Sequence, residues 1–209
     1  IFGLFPGKFD GTNEAYINCV HLEDRSLLEE SIRRTLENDA PYEVEHRIMW
    51  PAGEVRWVAS KGQVVKDQQG RPQRMLGIVQ DITTRKQAEI HLKDSQKFLT
   101  SIVDNLPHMI FVKNAKDLRF IRFNQAGEEL LGYPKESMIG KTDFDYFPKS
   151  EADFYNKKDR EVLSGKTQVD IPEEVIQTKF QGTRYLHTKK IPILDEQGTP
   201  QYLLGISED

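Results

Sequence analysis

Asp67-Gln68-Gln69-Gly70-Arg71-Pro72-Gln73 recurs as Asp195-Glu196-Gln197-Gly198-Thr199-Pro200-Gln201, with Asp, Gln, Gly, Pro and Gln in one register 128 residues apart. The match extends outward in both directions. Arg56-Trp57-Val58 corresponds to Arg184-Tyr185-Leu186, Leu76-Gly77-Ile78 to Leu204-Gly205-Ile206, and Asp81 to Asp209. Near the start, Ile1-Phe2-Gly3-Leu4 is similar to Leu130-Leu131-Gly132-Tyr133 at an offset of 129. Solenoid repeats run to about 20–50 residues, so a period this long marks two tandem domains. The register sets residue 1 opposite residue 130. The first copy is therefore expected to lack about 26 residues of its front end, and the chain reads as an excerpt of a longer protein.

In the second copy Met109–Lys113 is a short apolar run and Arg119–Phe123 alternates, with Asn114-Ala115-Lys116-Asp117 as turn chemistry between them. A hairpin is expected. Asn124 caps a short helix through Leu131, ended by Gly132 with Pro134 two residues on. Lys135–Met138 and Asp143–Phe147 read as single helical turns, and Glu151–Leu163 as a longer helix stopped by Gly165. Strands follow over Gln168–Gln177, Thr183–Leu194 and Gln201–Ser207, the last two joined by the repeated turn. This order specifies an α+β fold, an antiparallel sheet with helices on one side. The first copy supplies the later part: a helix over Asp24–Asn38 with Leu28, Ile32 and Leu36 on one stripe, then strands over Tyr42–Trp50, Val55–Asp67 and Pro72–Gln80.

Between the copies lies the strongest helix signal. Thr84 and Gln87 fit a capping box, and neither Gly nor Pro interrupts until Pro107. Ala88, Leu92, Ser95, Leu99, Ile102 and Leu106 are spaced alternately four and three apart, a heptad seam that Ser95 weakens. Two readings of this stripe stand side by side: pairing with a second copy as a coiled coil, or docking of Leu99, Ile102 and Leu106 on the second domain's sheet. The organisation expected is a first domain over 1–82, a linker helix over 83–106 and a second domain over 107–209.

Composition narrows the function classes. Twenty-nine basic residues against 33 acidic ones, with no basic block, argue against nucleic acid as a partner. Cys19 is the only cysteine, so one chain can build neither a disulfide framework nor a zinc finger. No apolar run approaches the roughly 20 residues that span a bilayer, and no signal peptide is visible, so a soluble, cytoplasmic fragment is expected. His21, His46, His91, His108 and His187 occur singly, without zinc-site spacing. There is no nucleophile elbow and no phosphate-binding glycine loop. Asp143 and Asp145 read as caps rather than an acid–base pair, and Glu173 and Glu174 point to opposite faces of a strand. The fragment is not expected to be catalytic.

The chain resembles tandem PAS domains, sensory modules of bacterial two-component kinases and related signalling proteins. In the first copy the resemblance rests on Val20-His21-Leu22-Glu23-Asp24-Arg25, on Gly53-Glu54-Val55-Arg56-Trp57-Val58, and on Gly77-Ile78-Val79-Gln80-Asp81-Ile82-Thr83-Thr84-Arg85-Lys86. In the second it rests on Asn124-Gln125-Ala126, Leu131-Gly132-Tyr133, Gly140-Lys141-Thr142-Asp143 and Arg184-Tyr185-Leu186 through Pro192. The resemblance implies, for each copy, a five-stranded antiparallel sheet closing a pocket with short helices. It also implies sensing or dimerisation upstream of an output domain in the same chain: a histidine kinase, with a diguanylate cyclase or chemoreceptor as alternatives. A ligand-free dimerisation module is the other class. Asp81 and Thr83 would carry the signal from strand to helix, and Ala88, Leu92, Leu99 and Ile102 would form the helix seam of a homodimer. Phe111, Phe123, Asn124, Phe154, Tyr155 and His187 are the candidates to line a small-molecule pocket. The cofactor is left open. The second copy lacks the cysteine of flavin photochemistry, and Glu151–Leu163 lacks a histidine for haem. Cys19 is expected as a small buried hydrophobe and His21 as a cap.

Overall fold

The computed structural model describes residues 1–209 apart from Pro6 and Asp39, and the chain divides into two compact units, Ile1–Asp94 and Ser95–Asp209. In the first, helix α1 (Asn13–Cys19), a 3-10 turn (Leu22–Asp24) and helix α2 (Arg25–Asn38) precede strands β1 (Tyr42–Met49), β2 (Val55–Lys66) and β3 (Pro72–Asp81). The strands form an antiparallel sheet in the order β1-β2-β3. Alternation along β1 buries Tyr42, Val44, His46 and Ile48 and turns Glu43 and Glu45 outward. Leu28 of α2 is fully buried against this face, but the buried side of the helix runs on to Thr35 and leaves Leu36 exposed. The Leu28–Ile32–Leu36 stripe is corrected accordingly. The i+7 position, not i+8, faces the sheet, and Thr35 is accommodated because its hydroxyl donates to the Ser31 carbonyl at 3.0 Å.

Helix α3 (Thr83–Asn105) leads into strands β4 (Met109–Asn114) and β5 (Phe120–Phe123), helices α4 (Gln125–Leu131) and α5 (Lys135–Met138), a 3-10 turn (Asp143–Asp145) and helix α6 (Lys149–Gly165). Strands β6 (Val169–Thr178), β7 (Gly182–Leu194) and β8 (Pro200–Glu208) complete an antiparallel sheet of order β5-β4-β8-β7-β6. Five strands are thus realised in the second unit. The first has three, the counterparts of β6–β8, because the 128-residue register gives the β4–β5 hairpin no counterpart in this chain.

The repeat is exact down to turn chemistry. Asp67 Oδ1 accepts from the N–H groups of Gln69 and Arg71 at 2.9 and 2.8 Å. Asp195 Oδ1 accepts from Gln197 and Thr199 at 3.0 and 2.8 Å. Gly70 and Gly198, at φ +77° and +75°, close the two turns in the left-handed region that favours glycine. Gly205, the counterpart of Gly77, has another reason to be glycine: a Cβ there would overlap the Phe111 ring.

Candidate functional site

The inward side chains of the second sheet are Met109, Phe111 and Lys113 on β4, Glu174 and Ile176 on β6, and Leu186, Thr188 and Lys190 on β7. Period-two alternation therefore carries two lysines and a glutamate into the core beside apolar residues. Helix α6 presents Asp159 on the same stripe as Tyr155 and Val162, and the 3-10 turn presents Asp143. These elements enclose a cavity of about 30 Å³, room for one or two water-sized groups. Phe111, Phe120, Phe123, Phe147 and Tyr155 form its aromatic wall, and Lys113, Asp143, Glu174 and Lys190 supply its charge.

The five charged groups form one network. Lys113 Nζ donates to Asp143 Oδ1 and Oδ2 at 2.7 and 2.6 Å and to Asp159 Oδ2 at 2.8 Å. Lys190 Nζ donates to Asp159 Oδ1 at 2.8 Å and lies 3.2 Å from Glu174 Oε1. All five are buried, Asp159 completely. Burial raises the pKa of Asp143; Lys113 opposes this, but burial together with the charge of Asp159 keeps the carboxyl above its ordinary range. Burial also works against Asp159, but Lys113 and Lys190 outweigh it and hold that carboxyl low. For Lys190, burial disfavours the charge, while Asp159 and Glu174 overcome it and raise the pKa. Ion pairs this deep cost several kcal/mol in desolvation per ion, and deleting one partner costs roughly 3–5 kcal/mol.

The sequence-based candidates separate in this geometry. Phe111, Phe123 and Tyr155 line the cavity. Phe154 stacks edge-on against Tyr155 but is exposed and outside it. His187 sits with Tyr185 and Lys189 on the outward face of β7 and pairs with Asp170, so it is no cavity ligand. Asn124 is buried but serves the backbone: Oδ1 accepts from Ile110 N at 2.8 Å and Gly127 N at 3.1 Å, and Nδ2 donates to Val103 O at 3.0 Å and His108 O at 2.9 Å. Asp145 caps its turn through Thr142 N at 2.8 Å, as expected, but Asp143 is a buried ion-pair partner rather than a cap. Glu173 and Glu174 do face opposite ways, Glu174 inward. The network itself went unread, although its signal was present. Lys113, Lys190 and Glu174 each stand at the period-two position of an inward apolar set, and Asp159 lies on the buried stripe of α6.

In the first unit His21 caps the 3-10 turn, its Nδ1 accepting from Glu23 N at 3.4 Å. Cys19 is half-buried rather than buried, and that burial pushes its thiol up. His46 is fully buried; desolvation lowers its pKa, and Nε2 lies 3.0 Å from Tyr16 Oη. At the end of β3, Asp81 Oδ1 accepts from Thr83 N at 2.8 Å, and Thr83 Oγ1 accepts from Trp57 N at 3.0 Å. The Thr83 side chain and N–H, with Arg56 nearby, hold the Asp81 carboxyl below its usual range. Lys86 Nζ and Arg85 Nη2 reach Glu45 at 2.6 and 2.5 Å, so the first turn of α3 is tied to the first sheet. Its last turn is tied within the second unit by Asn124 to Val103 O and by Arg122 Nη2 to Thr100 Oγ1 at 2.6 Å. Ala88, Leu92, Leu99, Ile102 and Leu106 are exposed, which goes against docking of the stripe on the second sheet. Among the described residues no group of three or more His, Cys, Asp or Glu side chains is placed to hold a metal ion, and no helix is long and apolar enough to cross a membrane.

Two family models described as PAS fold match the chain, one over residues 1–79 and the other over 103–209. A sensor protein FixL of Bradyrhizobium diazoefficiens is 24% identical over 136 residues, covering 65% of this chain and 26% of that protein. A methanogenesis regulatory histidine kinase FilI of Methanothrix harundinacea is 30% identical over 115 residues, covering 55% of this chain and 13% of that protein. The chain thus spans about a quarter or less of these curated relatives. Among solved structures, a PAS domain of a Colwellia psychrerythraea protein aligns with a TM-score of 0.48 and 20% identity, covering 55% of this chain and 95% of that one.

Proposed function

Because the chain belongs to the PAS family, with two PAS-fold units in tandem, we propose that it is the sensory module of a two-component signalling protein and acts as a relay along α3. The domains are residues 1–82 and 107–209, with 83–106 as the signalling helix. The module is not itself an enzyme; the output is a histidine kinase in the same chain, and the module is cytoplasmic. The relatives FixL and FilI, named as a sensor and a histidine kinase, support this output. A probable diguanylate cyclase DgcE of Escherichia coli, 27% identical over 128 residues, supports the second reading, a cyclase output.

One observation carries the relay. Helix α3 is fastened at its first turn through Thr83 to Trp57 and at its last through Val103 to Asn124, while Leu92, Leu99 and Ile102 between them are exposed. A helix so fastened transmits strand displacement as rotation or translation, and an exposed heptad seam is satisfied by the same seam of a second copy. Asp81 and Thr83 couple β3 to the helix, and a small molecule in the second unit's cavity biases the state. Leu92→Asp with Leu99→Asp is expected to halve the mass of the 209-residue chain in sedimentation and to alter autophosphorylation of the full-length protein. An unchanged mass and unchanged autophosphorylation would refute the relay.

A further inference from the structure

The cavity of the second unit carries a charge and hydrogen-bond asymmetry that identifies what it takes. Lys113 uses all three of its ammonium protons, two on Asp143 and one on Asp159. Lys190 faces Asp159 and Glu174. The lysines therefore have little left to offer an anion. The carboxylates are in the opposite position. Three of them face two lysines, an excess of one negative charge, and each carboxylate has room for about four hydrogen bonds. Glu174 states the surplus most directly. Its side chain is 6% exposed and lines the cavity, yet Oε1 makes no hydrogen bond, its contact with Lys190 Nζ being an ion pair off the hydrogen-bond direction. A buried carboxylate oxygen without a donor is costly unless a ligand supplies one. The remaining wall is aromatic, Phe111, Phe120, Phe147 and Tyr155, whose ring faces attract a cation and offer an anion nothing.

From this geometry we propose that the second unit's cavity binds a small primary ammonium cation, ammonium or methylammonium, with its N–H groups on Glu174 Oε1 and its charge completing the Lys113–Asp143–Asp159–Lys190–Glu174 network. The volume of about 30 Å³ admits one or two heavy atoms. Potassium carries the same charge but no N–H donor, and tetramethylammonium has neither donors nor the size to fit. This deepens the sensory reading above, on which its biological role rests, by giving the class of the sensed molecule; the binding itself does not depend on the relay.

The test titrates the 209-residue chain with ammonium, methylammonium, potassium and tetramethylammonium chlorides at constant ionic strength, reading thermal unfolding and calorimetric binding. Ammonium and methylammonium are expected to raise the unfolding temperature of the second unit, and potassium and tetramethylammonium to leave it unchanged. Glu174→Gln keeps the volume and removes the charge, and is expected to weaken ammonium binding about tenfold or more. Glu173→Gln, on the opposite face, is expected to leave it intact. In the wild-type chain, methylammonium methyl protons are expected to show nuclear Overhauser contacts to the Phe111, Phe147 or Tyr155 rings, a readout that needs no variant to fold. Equal effects of ammonium and potassium, or undiminished binding in Glu174→Gln, would overturn the assignment. A neutral or anionic solute that stabilises the second unit where amines do not would also overturn it, while leaving the relay reading, tested through Leu92 and Leu99, untouched.

Discussion

Asn124→Ala is expected to destabilise the second unit by about 3–4 kcal/mol, because one buried amide holds four backbone groups. Losing the bond to Gly127 N removes the cap of α4, about 1 kcal/mol. Losing the bond to Ile110 N leaves a buried N–H on β4 without that partner, at roughly 1–3 kcal/mol. The carbonyls of Val103 and His108 lie in half-buried residues that water can reach, so their two bonds contribute only about 0.5 kcal/mol each, the low end of the range. Asn124→Asp keeps both accepted bonds and loses both donated ones, so its cost should be less than half of this. Trp50 and Trp57, the only tryptophans, both lie in the first unit. Tryptophan fluorescence therefore reads the first unit alone, whereas far-ultraviolet circular dichroism reads both. In urea the Asn124→Ala chain should show a lowered circular-dichroism transition and an unmoved tryptophan transition. A loss below about 1 kcal/mol, or an Asp variant as damaged as the Ala variant, would refute the reasoning.

Gly205→Ala forces a methyl group into the Phe111 ring, which can give way only into the cavity, and should cost about 1–3 kcal/mol, read as a lowered second-unit transition. Thr83→Val removes the acceptor for Trp57 N and should lower the first unit's tryptophan-monitored stability by about 1 kcal/mol. Asp24 accepts from Arg47 Nε at 3.0 Å and Arg47 N at 2.8 Å, and Arg47 holds its carboxyl below the ordinary range. The folded form then binds fewer protons than the unfolded one, whose pKa is about 3.9. First-unit stability should fall as pH drops below about 4, and Asp24→Asn should flatten that acid limb in tryptophan fluorescence.

The elements of both units, the turn glycines and the Asn124 cap were legible in the sequence because each follows from chemistry within a few residues. The seam of α3 was legible as a pattern but not as a surface. Leu99 and Ile102 fit a docked helix as well as a paired one, and only their exposure in the folded chain distinguishes the two. The pocket was legible in part. Phe111, Phe123 and Tyr155 sit on inward positions that alternation assigns, whereas His187 lies on a strand whose two faces carry polar residues alike, so its side was undetermined until β7 was seen between β8 and β6.

By itself the sequence determined a doubled α+β chain, its strand order and its helix between the copies, because repeats, caps and periodicities are local. Only the tertiary structure decided that Lys113, Asp143, Asp159, Glu174 and Lys190 meet. They come from two central strands, an edge strand, a turn and a helix separated by up to 77 residues. A buried charge is tolerable only beside its counter-charge. Such partners are fixed by how the sheet and α6 pack, a relation that no local pattern in the chain encodes.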